Sequence, residues 1–129
     1  MSNPVGAPSS SDAPKNNSAT VAYVDLASLL DTSGMADGVI WSSAPSQLNV
    51  NLVHLSLGET IPPHINEEVD VLIVALAGEG TLAINDEPYT LDAGVVALIP
   101  RGAERWIRCE DGPLVYLTAH RARNGLMPS

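Results

Sequence analysis

The chain has no phenylalanine, one cysteine, one lysine, and no apolar run near the roughly 18 residues that a membrane span requires. The lone Cys109 excludes an internal disulfide and any zinc site built on cysteine pairs, and reads as a small buried apolar side chain. The N-terminus lacks the basic start and apolar stretch of a secretory leader, so a cytoplasmic protein that does not engage a membrane is expected. Positive charge is scarce, with 6 Lys and Arg against 15 Asp and Glu and a net charge of -9, which argues against nucleic acid as a partner. No Gly-rich phosphate loop, no Gly-x-Ser-x-Gly elbow and no cysteine cluster is present. The few aromatics (Trp41, Trp106, Tyr23, Tyr89 and Tyr116) are expected in core or dimer packing.

At 129 residues the chain suits one domain with a sizeable core. Residues 1–19 are rich in Ser, Pro, Asn and Ala, cannot offset their own ordering entropy, and are expected to form a disordered tail before a single domain at 20–129. A strand is expected at 21–24, a helical turn at 26–30 capped by Asp25, and an extended piece at 39–43. From Gln47 onward no segment has the length and period of a substantial helix. Strands are expected at 48–57, 61–66, 69–77, 80–84, 88–91, 95–99, 105–109 and 114–120. Turns at Asn85-Asp86-Glu87-Pro88 and Asp111-Gly112-Pro113 link pairs of them. This is an all-β sandwich or barrel.

The segments Val71 to Ala77 and Val95 to Ile99 are apolar without alternation, as expected of strands covered on both faces. One face lines the barrel; the other needs a second sheet or a second copy, so a homodimer is expected. Every arginine (Arg101, Arg105, Arg108, Arg121 and Arg123) lies between positions 101 and 123, a clustering suited to a basic rim for a small anion. His54 shares a strand face with Leu48, Val50, Leu52 and Ser56, which makes it a candidate interior group, whereas His120 at the end of the last strand is expected to be exposed.

Residues 58–78 read GETIPPHINEEVDVLIVALAG and residues 94–109 read GVVALIPRGAERWIRC. Together these resemble the two motifs of the cupin superfamily. Gly58 and His64 match the first, and Gly94, Pro100 and Gly102 match the second at full spacing. The resemblance spans roughly residues 47 to 120 and implies a cupin-type barrel, a double-stranded β-helix or jelly roll. In metal-binding cupins two histidines and a glutamate of the first motif, with a histidine of the second, converge on one divalent ion.

Only the first histidine is kept here, as His64. Asn66 stands at the second position, Asp70 best matches the glutamate, Arg105 replaces the last histidine and Cys109 the asparagine of the second motif. Asn66 offers a carbonyl oxygen that suits transition metals poorly. Arg105 stays protonated and has no lone pair to donate. At 4 Å and an effective dielectric near 20, its charge would repel a divalent ion by roughly 8 kcal/mol. No cofactor is therefore expected. A divalent metal (Zn, Mn, Fe or Ni) would have His64, Asn66, Glu68 and Asp70 as its ligands. The first functional reading is a cavity that binds a small, anionic organic molecule, with Arg105 as clamp and His64, Asn66 and Glu68 orienting it. One alternative is a metal-dependent oxygenase or isomerase using His64 with Asp70 or Glu68, completed by His54 or water. The other is metal-free proton transfer, with His64 as base, a carboxylate such as Asp70 orienting its ring and Arg105 stabilising an enolate-like charge.

Overall fold

The computed structural model of the protein describes residues 21–30, 36–44 and 46–122, and the expected tail at 1–19 lies outside them. Asp25 caps the short helix α1 (Leu26–Leu30). Its carboxylate accepts the Ala27 amide and the Ser28 hydroxyl, both at 3.1 Å, and so satisfies donors of the first turn. Residues 21–24, expected as a strand, do not form one. Val21 and Tyr23 are exposed, because β-propensity without a partner strand does not hold an extended segment in a sheet.

The remaining regular structure among the described residues is antiparallel: β1 (Gly38–Ser42), β2 (Leu48–Leu55), β3 (Thr60–Ile65), β4 (Val71–Ile84), β5 (Glu87–Asp92), β6 (Val96–Ile99) and β7 (Glu104–Arg121). Asn85 and Asp86, with φ of 51° and 70°, make the tight turn between β4 and β5, where a two-residue hairpin requires positive φ. Two expected breaks are absent. Segments 69–77 and 80–84 run together within β4, and segments 105–109 and 114–120 form β7, so Asp111-Gly112-Pro113 bends one strand instead of joining two.

The reason is that β4 and β7 lie side by side from Leu72 opposite Ala119 to Ile84 opposite Arg105, and each serves two sheets. The first half of β4 and the second half of β7 belong to the sheet β1-β2-β7-β4-β6; their other halves belong to β3-β7-β4-β5. Register shifts between Ala75 and Gly80 mark the bend. Gly78 has a φ of 79°, and a Cβ there would collide with the Pro113 carbonyl oxygen; a Cβ on Gly80 would come within 2.6 Å of the Arg108 carbonyl oxygen. Only glycine lets the two long strands cross this closely.

The two sheets face each other over one apolar cluster. Val53, Leu55, Ile73, Ala75, Leu114 and Tyr116 from the first meet Leu82, Leu91, Ile107 and Cys109 from the second. Cys109 is buried and free, as its sequence setting suggests. The fold is the expected all-β jelly roll, and Val69 and Ala103 bring the loops at 66–70 and 100–103 into its core.

Candidate functional site

The open end is built by a bulge. Pro62 and Pro63 cannot donate to the ladder, and the β3–β7 register slips there by one residue: Ile61 lies opposite Ile107, and His64 lies opposite Arg105. Without the slip, Ile61 and His64 would point to opposite faces; with it, both share the inward face of Arg105 and Ile107. His64 is exposed and its Nδ1 lies 3.1 Å from the Pro62 carbonyl oxygen. A carbonyl can only accept, so in the neutral ring Nδ1 carries the proton and Nε2 the lone pair.

Arg105 is half-buried, engaged by polar neighbours, and lies opposite His64 on one side and Ile84 on the other. Tyr116, further along β7 and 2% exposed, lies within reach of its charge. Burial pushes the Tyr116 phenol well above its ordinary range, and the positive charge of Arg105 offsets part of that rise. The phenol thus remains an O–H donor at ordinary pH.

The other motif residues hold loops. Asn66 is 8% exposed, and its Oδ1 accepts the amides of Glu68 at 3.1 Å and Val69 at 3.2 Å, while its backbone carbonyl accepts the Gly102 amide at 2.8 Å. Asp70 is exposed and its Oδ1 accepts the Arg101 amide at 2.9 Å, tying the 66–70 loop to the turn before β7. Glu68 is exposed, and its carbonyl takes an Arg121 guanidinium hydrogen bond at 3.3 Å.

This donor set does not fit a divalent metal. The amide oxygen of Asn66 and a carboxylate oxygen of Asp70 are spent on backbone donors, and the fourth family position holds a cation opposite His64. Among the described residues no group of three or more His, Cys, Asp or Glu side chains is placed to hold a metal ion.

His54 requires a correction. On β2 the residues facing the core are Val53 and Leu55, so His54 with Leu48, Val50 and Leu52 faces away from the barrel. His54 is buried, is the cross-strand partner of Gly38 on β1, and has its Nδ1 3.6 Å from the Asp37 carboxylate. It therefore cannot complete a site with His64. The inward face of β2 instead carries Asn49 and Asn51, opposite His120 and Thr118 on the same inward face of β7. All four are half-buried, so His120 is less open than expected. The inverted pattern, polar inside and apolar outside, hid these residues from a reading that assigns apolar faces to cores. Tyr116 was missed because a lone aromatic in an apolar strand carries no signal of a site.

The chain's residues 51–120 match the family model described as "Cupin domain". Among solved structures, a Thermus thermophilus protein is 26% identical with a TM-score of 0.68, over 79% of this chain and 98% of that one. A cupin protein from Bacteroides fragilis is 23% identical with a TM-score of 0.61, over 76% and 87%. A cupin superfamily protein from Desulfitobacterium hafniense is 22% identical with a TM-score of 0.64, over 76% and 88%. No curated protein matches the chain.

Proposed function

The chain belongs to the cupin superfamily, and from that premise we propose that its barrel binds a small organic anion at Arg105 instead of a metal ion. The observation that carries this reading is the Arg105 guanidinium on the inward face of β7, opposite His64. A carboxylate there would receive charge-assisted hydrogen bonds from Arg105, with His64 at its edge. Asn66 and Glu68 act by shaping the loop over this end. The protein is read as a single domain over 20–129, cytoplasmic, with neither nucleic acid nor membrane as partner. Among the described residues no helix is long and apolar enough to cross a membrane.

The test is a thermal-shift panel of organic acids against their uncharged amides. Acids at well above their Kd should raise the Tm by several degrees and the amides should not. No shift with any acid would refute the reading. One observation favours a second reading: the His64 ring, fixed with a lone pair on Nε2, is arranged as a general base for metal-free proton transfer. Loss of turnover, but not of binding, in His64→Gln would separate the two.

A homodimer is part of this proposal. Two cross-strand rungs on the outer face of the first sheet are apolar throughout: Leu98-Leu72-Ala119-Val50 and Val96-Val74-Leu117-Leu52. Val96 and Leu98 are each 62% exposed, whereas Leu52 at the far end is already buried within one chain, so the open part of the face lies at β6. A twofold-related copy covers such a face with its own equivalent. Light scattering that gave a monomer at micromolar concentration would refute it.

A further inference from the structure

Strands β5 and β6 each pair with β4 and not with each other, so the barrel wall is open between them. The opening is an apolar slot of about 400 Å³. Ile84, Leu91, Val95 and Ala97 line it, and the exposed side chains of Tyr89, Val96 and Leu98 stand at its mouth. The buried core residues Leu82 and Leu91 form its floor, and its mouth opens past Val96 and Leu98 onto the outer face. No charged side chain lines it.

One of its walls, Ile84, is the cross-strand neighbour of Arg105. Directly opposed residues share a face with their Cβ atoms about 4.5–5.5 Å apart. A cation therefore borders an uncharged slot whose volume falls within the roughly 300–1,000 Å³ of small-molecule sites. Either feature alone is common. Their adjacency selects a ligand with one negative end and one apolar end.

We propose that the slot between β5 and β6 receives the apolar tail of a monocarboxylate whose head is held at Arg105, so that the anion is an alkyl-tailed acid. This rests on the anion reading and narrows its ligand class. A second amphiphile geometry, with the tail in the polar inner face of β2 and β7, is disfavoured by Asn49, Asn51, Thr118 and His120 there.

The test is calorimetric titration of the full chain with acetate, butyrate, hexanoate and octanoate, with octanol as the uncharged control. Burying a methylene should tighten binding about three- to fourfold per carbon until the slot is full. Ala97→Leu, which fills the slot, should abolish the gain from butyrate to octanoate while leaving acetate binding unchanged. Tyr89→Ala, at an exposed position that does not risk the fold, should weaken octanoate several-fold and acetate not at all. Acids that bind through Arg105 without dependence on chain length would overturn the slot and leave the anion reading standing. Failure of every acid to bind would overturn both. Equal binding of octanol and octanoate, or a dimer that Tyr89→Glu dissociates, would give the slot another occupant and overturn the proposal.

Discussion

Replacing Asn66 by alanine separates a turn-forming role from a ligand-orienting one. The Asn66 Oδ1 accepts two backbone amides, at 3.1 and 3.2 Å, and the Val69 bond is buried. Each hydrogen bond contributes about 1 kcal/mol net, and leaving a buried amide unsatisfied costs about 1–3 kcal/mol. Asn66→Ala should thus destabilise the protein by about 2–4 kcal/mol. For a domain of this size that lowers the Tm by roughly 10 °C. Asn66→Asp keeps the acceptor and should retain most of the stability. The assay is urea unfolding of the three proteins, with unchanged slope of free energy against denaturant as the check that the compared states are the same. A loss below about 0.5 kcal/mol in Asn66→Ala would refute the claim that this side chain holds the loop. Acid binding that survives in Asn66→Asp would confirm that the amide itself is not needed by the ligand.

Gly78→Ala and Gly94→Ala both place a side chain at positive φ, about 1–2 kcal/mol each, but only Gly78 also meets the backbone of Pro113 and Leu114. Its variant should be less stable than the Gly94 one by a further 1–3 kcal/mol or so, and equal losses would show that the close strand crossing is not a constraint. The Ser56 amide bonded to Asp37 holds the Asp37 carboxyl below its ordinary range, with the nearby His54 adding to this. That contribution is present above the unfolded-state pKa and is lost as pH falls through the lowered folded value, so Asp37→Asn should flatten the acid limb of stability against pH. An unchanged limb would contradict this. The double variant Asn66→His, Arg105→His removes the facing cation and puts imidazoles at both motif positions, at the cost of the Asn66 hydrogen bonds that hold the 66–70 loop. After chelator treatment and reloading it should carry zinc, nickel or manganese by elemental analysis where the parent does not, and metal in the parent at about one per chain would contradict the account.

The barrel was legible because its corners depend on residues with few substitutes. Gly58, Gly78, Gly94, Gly102 and the Asn85-Asp86 turn occupy backbone conformations that other residues adopt at a cost, and Gly58, Gly94 and Gly102 also stand at motif positions in the sequence. The fusion of strands within β4 and β7 was not legible, since a bend within a strand and a turn between strands use the same residues, as Asp111-Gly112-Pro113 illustrates. At the site, the facing of His64 and Arg105 followed from the motif, but the bulge at Pro62-Pro63 that produces it is a pairing property and appears only with β7 in place. The opposite error was made for β2, where Leu48, Val50 and Leu52 suggested the core. Burial of an outer sheet face uses the same apolar residues as burial of an inner one. The slot beside Ile84 depends on which strands fail to pair, which a single sequence does not encode locally.

The central claim is that Arg105 holds an organic anion, and calorimetric titration of native and Arg105→Gln protein with the same carboxylate tests it most directly. Glutamine is polar but uncharged and shorter, so the substitution removes both the charge and the guanidinium fork that would hold a carboxylate. The account predicts a measurable Kd for the native protein, weakened at least tenfold in Arg105→Gln and weakened by added salt less than a surface pair would be. Equal affinity of the two proteins for the acid, or tighter binding by the variant, would contradict it.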